Sequence, residues 1–546
     1  MNHKGRFLLL IITFWVVSQS LAAQQIFDPP AVYPEFRATK TMGEITLDGV
    51  LDEEDWLKAD TLDGLFMKRP RQQVSATERT IVRVLYDDTY LYIAGEMYDS
   101  RAKDKGITVV EMTRDFGFRD GDLFGLAIDG LMDRRNAMVF QVNPYGAIRD
   151  LQAYDDRSFN RDWNALWYAR TQRSDEGWTA EIAIPWESLR YEKGTDRLGV
   201  IFTRNVRRLL EENVWPAVPR NFTPYRMNYA ADLVGLEPPD PDINIQLNPY
   251  ALGSVNRLVT GSESDTDGNT EIGGELKWAI NSNSVLDLTV NTDFAQADID
   301  EQVVNLARFN VLFPERRQFF LENADLFSVS GTDFIQPFFS RRIGLDNSGG
   351  AIPINAGARL VRRGANWNAG AMLMSQDGIG NVNGSEFGVL RYSRNFGPLN
   401  QVGIMSTLRQ DRTVAGFDNR TNFSLTADGV VRLNQQVFVQ GFISFTEDSE
   451  TGLDWAGRTS FNIQTNQIET GLNLNYVGRN YNPAMGFLGT DNFINVNPFA
   501  IFDIRPEWLP NGWRRYQPFI QYELMMDATR QDTDQAFFNF SPINIY

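Results

Sequence analysis

The chain's densest chemistry lies between Asn291 and Phe327, in the run NTDFAQADIDEQVVNLARFNVLFPERRQFFLENADLF. Asp293, Asp298, Asp300 and Glu301 come first. Arg308, Arg316 and Arg317 follow with Glu315, Glu322 and Asp325, set among Phe309, Phe313, Phe319, Phe320 and Phe327. The sole His, His3, falls in an N-terminal leader, and there is no Cys. The mature protein therefore has no Ser-His-Asp or Cys-His nucleophile and no His or Cys zinc site. Any catalysis has to rest on carboxylates, Tyr, Lys, Arg or a hard metal ion such as calcium. The competing reading is structural. Buried charge is costly unless each group finds a partner, so acids interleaved with arginines suit a segment held inside a polar cavity.

The leader is a secretory signal: Lys4 and Arg6, the apolar run Phe7 to Val17, then small residues up to a cleavage site near Ala22 or Ala23. No later stretch is long and apolar enough for a spanning helix, so a membrane location requires a closed β-barrel. A formal charge of −18 over 546 residues argues against nucleic acid as a partner, since phosphate binding needs a basic surface.

These residues must be positioned by strands. After a Pro-punctuated lead-in (24–44), the stretch Ile45 to Trp56 predicts a strand, a turn at Asp48-Gly49 and a short acidic helix start. Thr80 to Asp99 alternates about a turn at Asp87-Asp88 and predicts a hairpin. Asp120 to Gly130, Ala137 to Gly146, Trp163 to Arg170, Gly177 to Leu189 and Leu198 to Arg208 predict further strands, together a β-sandwich of jelly-roll kind over 45–236. Glu237 to Asp242 (EPPDPD) is a Pro-rich hinge.

Beyond the hinge, from 243 to 546, apolar and polar residues alternate more regularly. Ile245 and Leu247 alternate with Asn244 and Gln246, Leu286, Leu288 and Val290 with Asp287 and Thr289, and Leu472 and Leu474 with Asn473 and Asn475. About fourteen such segments, linked by polar stretches such as Ser262 to Asn269 and Thr446 to Asp454, predict an antiparallel transmembrane β-barrel. Tyr250, Trp278, Tyr392, Trp455 and Tyr476 lie near strand ends, where an interfacial girdle belongs. The charged segment 292–327 is expected in the lumen.

The motifs Ile45-Thr-Leu-Asp-Gly-Val-Leu-Asp-Glu with Trp56, Tyr86-Asp-Asp-Thr-Tyr-Leu-Tyr-Ile, Asp120-Gly-Asp-Leu-Phe and Gly177-Trp-Thr-Ala-Glu-Ile-Ala-Ile-Pro-Trp resemble the family 9 carbohydrate-binding module. The resemblance implies sugar binding by aromatic stacking and calcium held in acidic loops. Trp163 and Trp167, placed with Ala165 on one strand face, Tyr154 and Trp215 are the carbohydrate-binding candidates, with core filling as the alternative. Asp87, Asp88, Asp120, Asp122 and Asp129 are the calcium candidates, with turn formation as the alternative. From Asp293 to Glu322, and at Phe338-Phe-Ser-Arg-Arg-Ile-Gly, the second half resembles an uncharacterised outer-membrane barrel family of Gram-negative bacteria. Members of that family tend to be longer, so an incomplete barrel with unpaired outer strands is part of the expectation.

Three functions follow as expectations. The first is an outer-membrane protein with a periplasmic or surface sandwich that binds carbohydrate and a barrel that anchors it or passes ligand, its partners being carbohydrate and outer-membrane lipid. The second, since such modules accompany glycan breakdown, is glycoside hydrolysis by two carboxyl groups about 5 to 10 Å apart. Glu301, Glu315 and Glu322, or Glu181 and Glu187, are its catalytic candidates. The third is a non-catalytic role in envelope assembly or export, with the sandwich docking an envelope protein.

Overall fold

The computed structural model describes residues 26–104, 106–154, 158–161, 163–241, 244–260, 263–281, 283–291, 310, 312–313, 315–331, 334–345, 352–380, 382–397, 399–413, 419–504 and 516–542. The N-terminal part is a two-sheet sandwich. One sheet runs Ser158–Asn160, Ile148–Tyr154, Asn136–Val142, Leu123–Asp129, Arg197–Val206, Glu211–Trp215, Phe66–Arg69 and Val74–Ser75, with Ala231–Val234 also on Arg197–Val206. The facing sheet runs Tyr168–Ser174, Gly177–Pro185, Tyr90–Tyr98, Thr80–Tyr86 and Thr39–Lys40. Val84, Ile93, Phe124, Phe140, Ile182 and Phe202 meet between them. The predicted hairpin is present, with Tyr86 opposite Leu91 across Asp87-Asp88.

Both outer faces are covered as well. Phe222, Tyr225, Met227 and Tyr229 lie against Ala127, Val139 and Ile201, which is why Leu123–Asp129 is buried at every position rather than at every second one. On the other side Ile45, Leu47 and Leu51 pack with Trp56 against Leu85, Tyr92 and Ala183. Ile45 to Leu47 forms no ladder, contrary to the expected strand, and the acidic helix spans Glu54–Lys58. A buried carboxylate, Glu181, fastens this cover: it accepts N–H bonds from Asp48 (3.0 Å) and Gly49 (2.7 Å) and the indole N–H of Trp56 (3.2 Å). Gly49 has φ 91°, and a Cβ there would lie 2.9 Å from the Thr171 backbone, so the turn requires glycine.

Among the described residues the C-terminal part is one antiparallel meander of fourteen strands, from Asn244–Thr260 to Thr533–Ser541. Its side chains are sorted the opposite way from a soluble domain. Ser385, Thr407, Ser424, Thr426, Ser444 and Ser460 are buried, whereas Leu373 and Leu390, in mid-strand, are 65% and 62% exposed. Phe423, Leu425, Ile443, Phe445 and Leu474 point outward with them. Two links expected from sequence are shorter than predicted. Asn244–Thr260 and Glu263–Asn281 pair as far as Thr260–Glu263, so most of Ser262 to Asn269 is strand, and Val437–Asp448 pairs with Gly452–Gln464 up to Asp448–Gly452. Among the described residues no ladder joins the first strand to the last.

The described part of the charged segment, with the residues up to Gly331, forms a plug against the polar face. Phe319, Phe320, Leu326, Phe327 and Val329 pack with Met372, Met374, Phe387, Val389, Met405 and Phe442. The Arg359 guanidinium donates to Asp287 (2.9 and 2.8 Å) and to the Glu322 carbonyl (2.6 Å), and lies 4.6 Å from the Phe319 ring centre. Arg317 is held by Glu315 (2.8 and 2.7 Å) and the Ile343 carbonyl (2.6 Å). These ion pairs match the structural reading of the run.

Two predictions follow from these anchors. Arg359→Met leaves Asp287 and the plug carbonyls without their cation and lowers stability by about 3–5 kcal/mol in chemical unfolding; adding Asp287→Asn restores part of it, and an unchanged midpoint would refute the role. Burial pushes the Glu181 carboxyl up to about 7 from 4.5. A raised carboxyl favours the folded state below pH 4.5 and loses that contribution as pH rises through 7, on the order of 2–3 kcal/mol. In Glu181→Gln the decline of the sandwich melting temperature between those pH values should shrink, while stability at low pH falls because an amide N–H faces the Trp56 indole; parallel profiles for the two proteins would exclude the assignment.

Candidate functional site

Trp163, Ala165 and Trp167 do share a face, with Asn164 and Leu166 exposed on the other, but they precede the strand Tyr168–Ser174 rather than belong to it. Their common face is the core. Trp167 is 3% exposed and meets Phe140 edge-on at 5.4 Å; Trp163 meets the same ring at 6.0 Å. Trp215 stacks on Phe202 at 6.2 Å and touches Phe36 edge-on at 6.0 Å. Apolar area is worth most where it leaves water completely, and Phe140, Phe202 and Phe36 offer that here. Tyr154 is buried too, its hydroxyl donating to Gln152 and its ring under the Arg363 guanidinium at 4.5 Å. The four aromatic candidates therefore do not assemble into an exposed stacking platform.

The calcium candidates are spread among separate turns. Asp87 accepts the N–H groups of Thr89 and Tyr90 (2.7 Å each) and the Tyr92 hydroxyl (2.9 Å), and Asp88 pairs with Lys40 at 2.8 Å. Asp122 accepts from Thr108 (3.0 Å) and Arg207 (2.5 Å), and burial pushes its carboxyl up to about 6. Asp129 accepts from Arg134 at 2.6 Å, and burial pushes it well up, with Asp133 adding to the effect. Asp120 is exposed in its turn. Turn formation is what this geometry provides; among the described residues no three acids gather where a metal ion could sit.

Of the carboxyl candidates, Glu301 lies outside the described residues. Glu315 is taken up by Arg317 and by the Ser340 hydroxyl at 2.6 Å, and Glu322 by Lys277 and Arg359. Glu181 is the buried anchor of the Asp48-Gly49 turn, and Glu187 is exposed in a single 3₁₀ turn, Trp186–Ser188. These side chains are engaged in structure rather than aimed in pairs across a cleft.

What the sequence does not reveal is a junction. The sandwich sits on one end of the fourteen-stranded sheet, and its loops donate to the carbonyls of the sheet's turns. Arg135 donates to Asn400 at 3.1 Å and Arg220 to Asn466 at 2.8 Å; Asn221 donates to Thr465, and Arg226 to the Gln435 side chain at 3.3 Å. Between the two bodies lies a cavity of about 340 Å³. Arg135, Asn136 and Tyr154 face it from the sandwich, Asp325 to Gly331 from the plug, and Arg363, Asn368, Arg391, Ser393, Asn395 and Gln401 from the sheet. Asn368, Arg391, Ser393, Asn395 and Gln401 read in sequence as ordinary strand positions, so only Asp325, in the charged run, carries any trace of the site.

Residues 241–359 match the family described as "Domain of unknown function (DUF5916)". No curated protein matches the chain. Among solved structures the chain is similar to a carbohydrate binding module family 9 from Caldicellulosiruptor kristjanssonii in complex with cellotriose, at 14% identity over 38% of this chain and 95% of that one, with a TM-score of 0.27. It is likewise similar to a family 9 module from the same organism in complex with glucose, at 14% identity over 38% of this chain and 98% of that one, with a TM-score of 0.26.

Proposed function

We propose that this chain is an exported outer-membrane protein of a Gram-negative envelope, in which the fourteen-stranded sheet turns its apolar face to lipid and the N-terminal sandwich binds carbohydrate. The observation that carries the reading is the inverted sheet, with Leu373, Leu390, Phe423 and Leu425 outward and Ser385, Thr407 and Ser424 buried. A row of bare Leu and Phe over a polar interior is unfavourable in water and favourable in hydrocarbon. Lipid also requires both outer strands to be paired, with each other or with further strands. The sequence motifs shared with family 9 modules support carbohydrate as the ligand class. The hydrolytic alternative gains nothing from Glu315 and Glu322, which neighbouring cations neutralise.

The sheet's ends differ, and this supports a periplasmic sandwich. At the sandwich end the strands are joined by the short connections 363–366, 397–399, 433–436 and 465–467, the link after Phe493–Phe502 being the exception. At the far end, beside short connections such as those from Thr260 to Glu263, Ile379 to Val382 and Asp448 to Gly452, lie the long segments between Val290 and Ile354 and between Val477 and Phe493. Outer-membrane barrels keep short turns in the periplasm and longer loops outside.

Leu390→Arg tests the lipid face: it should cost about 2–4 kcal/mol in a bilayer if the residue lies near the midplane, whereas an exposed site in water would change by no more than about 0.5 kcal/mol. The natural absence of Cys makes sidedness testable as well. On intact cells a membrane-impermeant maleimide should label Glu450→Cys, at the far end, and should label Asp175→Cys, on the sandwich, only after the outer membrane is permeabilised. Labelling of Asp175→Cys on intact cells, with Glu450→Cys labelled only after permeabilisation, would reverse the orientation.

A further inference from the structure

We infer that the cavity between sandwich and sheet is a binding site for a neutral oligosaccharide, an inference that rests on the carbohydrate reading above and gives it a location. The cavity holds about 340 Å³, at the lower end of the ~300–1,000 Å³ range of small-molecule sites and enough for about one or two sugar rings. Its walls come from three separate parts of the chain, so it exists only when sandwich, plug and sheet are together.

The lining chemistry selects the ligand. Carboxamides from Asn136, Asn368, Asn395, Gln401 and Gln440 and hydroxyls from Ser328, Ser330 and Ser393 surround it. Carboxamides and hydroxyls both donate and accept, as the vicinal hydroxyls of a sugar do. Two of the three guanidinium groups in the wall are matched by carboxylates, and the third, Arg135, donates to the Asn400 carbonyl. Arg363 pairs with Asp325 at 2.6 Å, and Arg391 grips Asp428 with two bonds of 2.5 and 3.0 Å. An anionic ligand would compete with Asp325 and Asp428 for these guanidinium groups, and a cationic one would face them. Breaking such buried pairs is unfavourable, so a neutral polyol fits best. A peptide would need apolar pockets for its side chains; Leu326, Val329, Leu399 and Val430 provide only small apolar patches among the polar groups.

The test is calorimetric titration of the whole chain in detergent micelles with a panel of neutral di- and trisaccharides that includes cellotriose, and with an acidic disaccharide of uronic acids. At least one neutral sugar should bind, and the acidic one should bind roughly tenfold more weakly or not at all. Gln401→Leu, close to isosteric, and Ser328→Trp, which fills the space, should each weaken binding of the neutral sugar by roughly tenfold or more. Gln440→Leu serves as a further isosteric variant if either fails to fold. Full affinity in all folded cavity variants would overturn this location while leaving carbohydrate binding intact, and loss of affinity in Trp163→Ala alone would return the site to the sandwich. Preference for the acidic sugar would overturn the ligand class, and no binding of any sugar would overturn both readings.

Discussion

Every feature of the C-terminal half depends on one constraint: polar side chains on the inner face of an inverted sheet must be satisfied without bulk water. Small groups manage this across neighbouring strands, as Thr407 does with Ser424 at 2.6 Å and Thr426 with Ser444 at 2.8 Å. Guanidinium groups need more acceptors than one carboxylate supplies, and the plug provides them. Arg359 reaches the carbonyls of Phe319 and Glu322 as well as Asp287. In return the plug's phenylalanines find the methionines and aromatic residues that the sheet turns inward, Met372, Met374 and Phe387 among them. Even one glycine reflects the fit: a Cβ at Gly370 would come within 2.8 Å of the Phe327 ring. Plug and sheet are thus one polar and apolar jigsaw, in which removing either side leaves buried charge behind.

The sandwich solves a different problem. Both of its sheets are covered on their outer faces, so it consumes its large aromatics internally and meets the rest of the chain through polar groups. The junction is built from arginine and asparagine side chains donating to turn carbonyls. Interfaces of this polar kind, between domains of one chain, permit relative movement more readily than apolar ones. The cavity lies within this polar junction.

How much of this the sequence discloses depends on how local the signal is. Strand alternation is local, and the hairpin Thr80–Tyr86 with Tyr90–Tyr98 and the meander beyond the hinge were legible from it. The shared face of Trp163, Ala165 and Trp167 was legible too. Whether that face met sugar or Phe140 was not, because the answer lies in a strand that the sequence places some twenty residues earlier. Polar composition misled at Ser262 to Asn269: strand geometry needs backbone pairing, which Glu263–Asn281 finds in Asn244–Thr260 whatever its side chains. The acids could not be sorted between turn and metal from sequence for a similar reason, since only the fold shows that backbone N–H groups in their own turns reach Asp87 and Asp129. The junction was illegible because it joins residues hundreds of positions apart, none unusual in its own segment.

The inversion also links location to ligand. A sheet with Leu373 and Leu390 outward requires either hydrocarbon or another protein layer over that face, and the first and last strands, which no ladder joins among the described residues, would face the same surroundings. If the surroundings are lipid, polar solutes that cross from the far end reach the sandwich along the inner face. There the plug's aromatic residues take up space beside Met372 and Phe387, while the carboxamide-lined cavity stands open at the sandwich end. A solute moving along the polar face would meet that cavity before any sandwich surface. On the proposed membrane reading, the junction, rather than the buried tryptophans, is the first place in this chain where a polar ligand could be held.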